Sequence, residues 1–161
     1  MIEWLDSSAY AVWFRESLWG WPAALTIHAF GTAIVIGFIF IISLRLIGLF
    51  RTIPYSAMNK LFPIIWFAIV LQVLSSYSLW MTKPARYLGD GMFESKLTLV
   101  IVSIIVTAYF HRVFSRGAAE WEKAGRVSSR AVKWAAVTTI LWAGVLVAGR
   151  LTAYLGSLYM S

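Results

Sequence analysis

Residues 22–44 read PAALTIHAFGTAIVIGFIFIISL, an apolar stretch of 23 residues that contains no Asp, Glu, Lys or Arg. A helix needs about 20 mostly apolar residues to cross the hydrocarbon core of a bilayer. Three later stretches have the same character: residues 61–81, residues 97–110 with their less polar flanks, and residues 134–154. The sequence therefore predicts four membrane-spanning helices, at approximately 22–45, 61–82, 94–115 and 132–156.

The composition agrees with this pattern, since 60% of the 161 residues are hydrophobic and only 13% are charged. Soluble domains usually carry about 25% charged residues. Four spans leave only an N-terminal segment and three short connections, and short connections favour antiparallel neighbours. We predict one domain, residues 1–161, which is an all-α integral membrane four-helix up-down bundle. The sequence has no cysteine, so disulfides, iron–sulfur clusters and c-type haem attachment are excluded.

Two polar segments are predicted to lie at the membrane surface. Residues 7–19 place four aromatic side chains among a few charges, which is typical of a short N-terminal helix in the interface. Pro22 then begins the first span, because a proline is tolerated at a first helical position. Residues 116–130 predict a second, basic surface helix in the third connection, with Trp121 as its anchor.

Charge predicts the orientation of the chain. The first and third connections hold nine of the fourteen basic residues: Arg45, Arg51, Lys60, Arg112, Arg116, Lys123, Arg126, Arg130 and Lys133. The other side carries five basic and five of the seven acidic residues, so the net charge of +7 lies on one side. The positive-inside rule makes that side cytoplasmic and places both termini outside. The basic balance indicates contact with the lipid bilayer, not with nucleic acid.

Polar residues inside the spans are the candidates for function, because each is unfavourable in lipid unless paired or hydrated. His28 lies seventeen residues before Arg45, and Arg150 lies seventeen residues after Lys133. At a rise of 1.5 Å per residue, both are about 25 Å above the inner boundary. Gln72 in span two and Lys96 at the start of span three add to a polar interior in the outer half of the bundle.

His28 shares a helix face with Gly31 and Thr32, and small residues beside a histidine leave room for a flat group. A helix can present a haem ligand in this way. The alternatives for His28 are a neutral imidazole hydrogen-bonded to a neighbouring helix, a quinone hydrogen bond or a proton relay. Arg150 can bind an anionic group such as a haem propionate, form a structural ion pair with Glu94 or Asp90, or extend to the surface.

His111 lies near the inner boundary and is either a second metal ligand or a solvated boundary residue. The two histidines are roughly 15–20 Å apart along the membrane normal, so one iron cannot be ligated by both in a monomer. A homodimer whose two-fold axis lies along the normal would instead place His28 of both protomers at one depth. That arrangement requires the Gly31 face of span one to line the dimer interface.

Two stretches carry a resemblance. Residues 26–50, TIHAFGTAIVIGFIFIISLRLIGLF, and residues 148–156, AGRLTAYLG, resemble a bacterial family of small four-span membrane proteins of unknown function. The likeness covers nearly the whole chain. The His-x-x-Gly first span looks more distantly like the superfamily of four-helix b-type cytochromes and copper-resistance membrane proteins. Two-haem bundles of that superfamily supply four histidines, whereas this sequence has two.

These observations predict a cofactor site formed by His28, Gly31, Thr32, Gln72, Lys96 and Arg150, with His28 and His111 as candidate metal ligands. The distant resemblance implies b-type haem, and quinone is the second candidate cofactor. The predicted function is electron transfer at the outer side of the membrane, without a catalytic constellation, together with other membrane or periplasmic redox subunits. The alternatives are a cofactor-free accessory or anchoring subunit, and copper or small-ion handling through His28 and Met81. The bacterial resemblance predicts the inner membrane, with both termini periplasmic.

Overall fold

A computed structural model of the protein describes residue 4, residues 7–82 and residues 91–158, with side chains up to residue 151. Its helices are α1 (Ala9–Glu16), α2 (Gly20–Leu46), α3 (Tyr55–Asn59), α4 (Phe62–Met81), α5 (Gly91–Ala124) and α6 (Ser129–Leu158). The described residues contain no strand. Helices α2, α5 and α6, and α4 together with α3, are long and apolar enough to cross a membrane. The predicted all-α bundle with four spans is therefore confirmed.

Helix α2 is central, because it packs against α4 on one side and α6 on the other, while α5 packs along α6. We call the end of the bundle that carries α1 the α1 end. We call the opposite end, with residues 47–54 and 125–128 as its connections, the basic end. The hydrophobic core lies mainly towards the basic end, where Phe62, Phe110 and Phe114 are fully buried beside Ile39 and Ile42.

Helix α1 covers one end of the bundle, in agreement with the predicted N-terminal helix. The hydroxyl of Ser8 caps it by accepting a hydrogen bond from the backbone N–H of Ala11. Phe14 is buried, whereas Trp13 is 60% exposed. The Tyr10 hydroxyl donates to Ser78 Oγ at 2.8 Å, which ties α1 to the end of α4.

Helix α5 corrects the prediction of a separate surface helix at residues 116–130. It continues to Ala124 over 34 residues, or about 50 Å, which exceeds the roughly 30 Å of a bilayer core. Trp121 is only 4% exposed and packs edge-on against Tyr55 and Phe114, so it is a core residue and not an interfacial anchor. Gly117 permits this, because a Cβ at that position would lie 2.1 Å from the Trp121 ring.

A second glycine sets the approach of α2 to α4. A Cβ at Gly31 would lie 2.8 Å from Gln72 Oε1 and 3.3 Å from the carbonyl oxygen of Ala68. Small residues at helix contacts are favoured in membranes because they let backbones come close. The Gly31 face therefore packs within the protomer against α4, and it is not free to form the dimer interface that a shared His28 would require.

Candidate functional site

His28 on α2 is hydrogen-bonded through both ring nitrogens to α4. Its Nε2 lies 3.3 Å from Gln72 Nε2, and its Nδ1 lies 3.3 Å from Ser75 Oγ and 3.2 Å from Ser76 Oγ. Gln72 and Ser75 are buried and Ser76 is exposed at the helix surface. The spacing of Gln72, Ser75 and Ser76 places them on one face of α4, and this face is turned towards His28.

The amide of Gln72 links this ring to a second group on α2. Gln72 Nε2 donates to Thr32 Oγ1 at 2.7 Å, and Thr32 Oγ1 in turn donates to the backbone carbonyl of His28 at 2.8 Å. The other amide atom, Gln72 Oε1, is buried and has no hydrogen-bond partner among the described residues. It lies against Gly31, where there is no Cβ to exclude it.

The donors and acceptors assign the tautomer of His28. Gln72 Nε2 is a donor, so His28 Nε2 accepts and carries no proton. Ser75 Oγ already uses its proton on the carbonyl of Gln72 at 3.1 Å, so His28 Nδ1–H donates to a serine oxygen. The result is a neutral imidazole with both nitrogens occupied, which matches one of the alternatives for His28.

Lys96 on α5 brings a cation to the same region. Its side chain lies along α6, where a Cβ at Gly149 would be 3.7 Å from Lys96 Cε and 3.8 Å from Nζ. The side chain is half-buried, and the ammonium is close enough to interact electrostatically with His28. Within the described part of the chain, Lys96 has no carboxylate partner. All four long helices therefore contribute to one polar cluster, which we call the His28 cluster: His28, Gly31, Thr32, Gln72, Ser75, Ser76, Lys96 and Gly149.

The His28 cluster brings together five of the six predicted cofactor residues and leaves out Arg150, which is exposed. Adjacent helical residues differ by about 100° around the axis. Since Gly149 faces Lys96, Arg150 points away from that contact. Arg150 directly follows Gly149 of the cluster, and its predicted role stays a prediction. Gly149 was not among the residues predicted for the site. Its position next to Arg150 was the one sequence feature that could have pointed to it.

The residues fit a hydrogen-bonding ligand better than an iron. For His28 to present a free nitrogen to a metal, it would have to break its bond to Gln72 or to the serines. The described residues contain no group of three or more His, Asp or Glu side chains that could hold a metal ion. Met81, the partner considered for copper, is 4% exposed at the end of α4. Ammonium and amide donors, by contrast, suit a carbonyl oxygen.

His111 is held differently, at the basic end. Its ring stacks on Phe62 with centroids 4.2 Å apart and planes 11° apart, and its Nδ1 accepts from Trp66 Nε1 at 3.1 Å. It is half-buried, and its two predicted roles, metal ligand and solvated boundary residue, stay predictions. Among the described residues its Nε2 has no hydrogen-bond partner. His111 is not part of the His28 cluster.

The helices on two sides of the bundle differ in how closely they approach. Among the described residues, α2 packs closely against α4 and α5 against α6, whereas α4 and α5 have few close backbone approaches. In the described part of the chain, α4 and α5 are joined through side chains at the basic end, where Phe62 and Trp66 contact Phe110, His111 and Phe114.

Comparison with known proteins adds no homologue to this description, since no protein-family model, curated protein or solved structure matches the chain.

Proposed function

We propose that this protein is a membrane subunit that binds the head group of a lipid-soluble quinone in the His28 cluster and takes part in electron transfer. The observation that carries the proposal is the Lys96 ammonium, which lies half-buried in an apolar bundle without a carboxylate partner among the described residues. A cation in this setting is unfavourable unless a ligand or water hydrates it. A quinone carbonyl oxygen is a suitable acceptor for one of its N–H donors.

The rest of the cluster supplies groups for the opposite side of the ring. Gln72 Nε2, Ser76 Oγ and His28 can each hydrogen-bond a second carbonyl or hydroxyl oxygen after a small change in side-chain torsion. The buried Gln72 Oε1 lies against Gly31 and has no hydrogen-bond partner among the described residues, so the amide offers its Nε2 to a ligand.

In this proposal the electrons pass between the quinone and a redox subunit on the outer side of the membrane. Lysines and arginines are concentrated in residues 45–60 and 112–133, which supports an orientation with the basic end in the cytoplasm and both termini outside. The membrane in this proposal is a bacterial inner membrane. Reporter fusions at Ser161 and near Gly125 test the orientation. The first should report a non-cytoplasmic location and the second a cytoplasmic one, and the opposite pair of results would reverse the proposed side of the site.

One observation favours a second candidate, a cofactor-free accessory subunit of a larger membrane complex. Each packed pair of spans is joined by a hydrogen bond between side chains: Gln72 to Thr32, Ser43 to Thr139 at 2.9 Å, and Trp142 to Thr107 at 2.9 Å. The His28 network then serves, like the others, to fix helix pairing. In this alternative Lys96 is hydrated by water and binds no quinone.

The experiment is extraction of the protein, purified from native membranes in mild detergent, followed by chromatographic quantification of quinone and an absorption spectrum. Lys96→Met keeps the length of the side chain and removes the charge, so it should lose at least about tenfold in quinone occupancy, equal to one charge-assisted hydrogen bond. Lys133→Met removes an exposed lysine at the basic end and is the matched control.

The outcomes separate the candidates. Quinone bound to the wild-type protein and to Lys133→Met but lost in Lys96→Met supports the proposal. Stoichiometric co-purification with other membrane proteins, without quinone, supports the accessory subunit. A Soret band that disappears in His28→Ala would instead make His28 a haem ligand, and one that persists would show that another residue ligates the iron.

A further inference from the structure

The basic end contains a second polar centre, which is built around Arg45 at the end of α2. Arg45 is 8% exposed. Its Nε donates to the carbonyl of Ile53 at 2.6 Å, one terminal nitrogen donates to the Tyr55 hydroxyl at 2.9 Å, and the other donates to the carbonyl of Arg51 at 3.4 Å. Its guanidinium carbon also lies 3.9 Å from the centroid of the Tyr55 ring.

All of these partners are neutral. No carboxylate among the described residues forms an ion pair with Arg45, although a buried cation is normally paired with an anion. The hydrogen bonds hold the guanidinium in place but leave its charge uncompensated. An external anion that reached Arg45 would restore the balance.

A cleft of about 740 Å³ leads to this position between residues 47–54 and the turn after α5. Three arginines line it, Arg45, Arg51 and Arg126, and Glu122 is its one acidic lining residue. Arg51 and Arg126 are exposed, while Glu122 accepts a hydrogen bond from the backbone N–H of Ser56. The charges of the lining therefore sum to about +2, which suits a phosphate group.

The residues beside the cleft are apolar and outward-facing. Ile47 is 60% exposed, Leu49 47% and Phe50 50%, and all three belong to the connection that forms one wall of the cleft. These side chains follow the last turn of a membrane span, so they lie where acyl chains meet headgroups. An anion-binding site bordered by exposed apolar side chains matches an amphiphile and not a small hydrophilic ion.

We propose that this cleft is a specific binding site for the phosphate of an anionic phospholipid, with Arg45, Arg51 and Arg126 around the headgroup and the acyl chains against Ile47, Leu49 and Phe50. The buried Arg45 supplies a fixed charge at the base of the cleft. Arg51 and Arg126 close on the phosphate from the two walls. The bound lipid joins the α2–α3 connection to the α5–α6 turn, which are distant in sequence.

The test uses the full chain in detergent and native mass spectrometry to measure apparent affinities for phosphatidylglycerol and phosphatidylcholine. The double variant Arg51→Ala with Arg126→Ala leaves the hydrogen bonds from the Arg45 side chain to Ile53 and Tyr55 intact. It should lower phosphatidylglycerol affinity roughly tenfold to thirtyfold and leave phosphatidylcholine binding unchanged. The control is Arg116→Ala with Lys123→Ala, which removes the same charge from exposed positions at the same end but outside the cleft.

An unchanged affinity in the control, together with the loss in the cleft variant, supports the site. Equal losses in both double variants would show that the basic end attracts anionic lipid only through its general charge. Equal wild-type affinity for the two lipids would also overturn the proposal. So would displacement of phosphatidylglycerol by inorganic phosphate at equal concentration, because the site would then take a soluble phosphate compound.

Discussion

At the α1 end, a histidine, a glutamine and a lysine from three helices come together, whereas at the basic end an arginine is buried by a loop and an aromatic cluster. Arg45 is fixed by three hydrogen bonds and a ring contact. Lys96 is fixed by packing against Gly149 and retains its donors. Its fixed hydrogen bonds give Arg45 a structural role in addition to its place at the base of the proposed lipid site, whereas the donors of Lys96 remain available to a ligand.

The largest expected effect is at the enclosed arginine. Arg45→Ala should lower the free energy of unfolding by about 2–4 kcal/mol, because it leaves the Tyr55 hydroxyl and the Ile53 carbonyl without their charged partner. Thermal unfolding of detergent-purified protein measures the change. Arg112→Ala, at an exposed position on α5, is the control and should change stability by less than about 0.5 kcal/mol. Similar losses in the two variants would show that the enclosure of Arg45 is unimportant.

The next largest effect concerns the close approach of α2 to α4. Gly31→Ala should destabilise the protein by about 1–3 kcal/mol, because its methyl group would meet Gln72 Oε1 at 2.8 Å. Gly37→Ala on the same helix is the matched control, since a Cβ there meets nothing within 4 Å. Alanine is the better helix former, so the control should be neutral or up to about 1 kcal/mol more stable. A neutral Gly31→Ala would contradict the tight α2–α4 contact.

The two histidines should differ in their contributions to stability. His28→Ala removes hydrogen bonds through both ring nitrogens and should cost roughly 1–2 kcal/mol, since interhelical hydrogen bonds in membranes average about 0.6 kcal/mol each. His111→Phe preserves an aromatic ring against Phe62 and loses only the bond from Trp66, so it should cost roughly 0.6 kcal/mol. Chemical unfolding in mixed micelles provides the comparison. A larger loss of stability in His111→Phe than in His28→Ala would contradict the stronger hydrogen bonding of His28.

The smallest effect is expected at a single buried hydrogen bond between α5 and α6. Trp142→Phe and Thr107→Val each remove the bond from Trp142 Nε1 to Thr107 Oγ1. A double-mutant cycle should give a coupling of about 0.6 kcal/mol. The pair Ser43→Ala and Thr139→Ala between α2 and α6 is a second cycle of the same kind. A coupling energy near zero in both cycles would show that these hydrogen bonds do not stabilise the pairing of the helices.

The spans and their order followed from the sequence because apolar length and charge are local properties that survive folding. Residues 116–130 show the limit of that reasoning. Their polarity suggested a surface helix, but polarity does not reveal that Gly117 allows Trp121 to fold back and pack on Tyr55. A buried contact between residues 66 positions apart depends on the tertiary structure, and nothing in the local pattern specifies it.

The site shows the same division. The helical rise predicted one depth for His28 and Arg150, and Arg150 directly follows Gly149 of the His28 cluster. For Gln72 and Lys96 the sequence predicted only the middle or outer half of the bundle. The direction of each side chain around its helix depends on which neighbour it faces, and this was not fixed by the sequence for Arg150. Gly149 carries no polar group, so its role beside Lys96 could be recognised only from the packing of α5 against α6.

Mapping the attachment site of a photoreactive quinone on the full chain in lipid nanodiscs tests the central claim most directly. The His28 cluster predicts labelled peptides from α4 and α5 near Gln72 and Lys96, competition by unlabelled quinone, and strong loss of labelling in Lys96→Met but not in Lys133→Met. Labelling confined to the basic end, or equal labelling of both variants, would contradict the account.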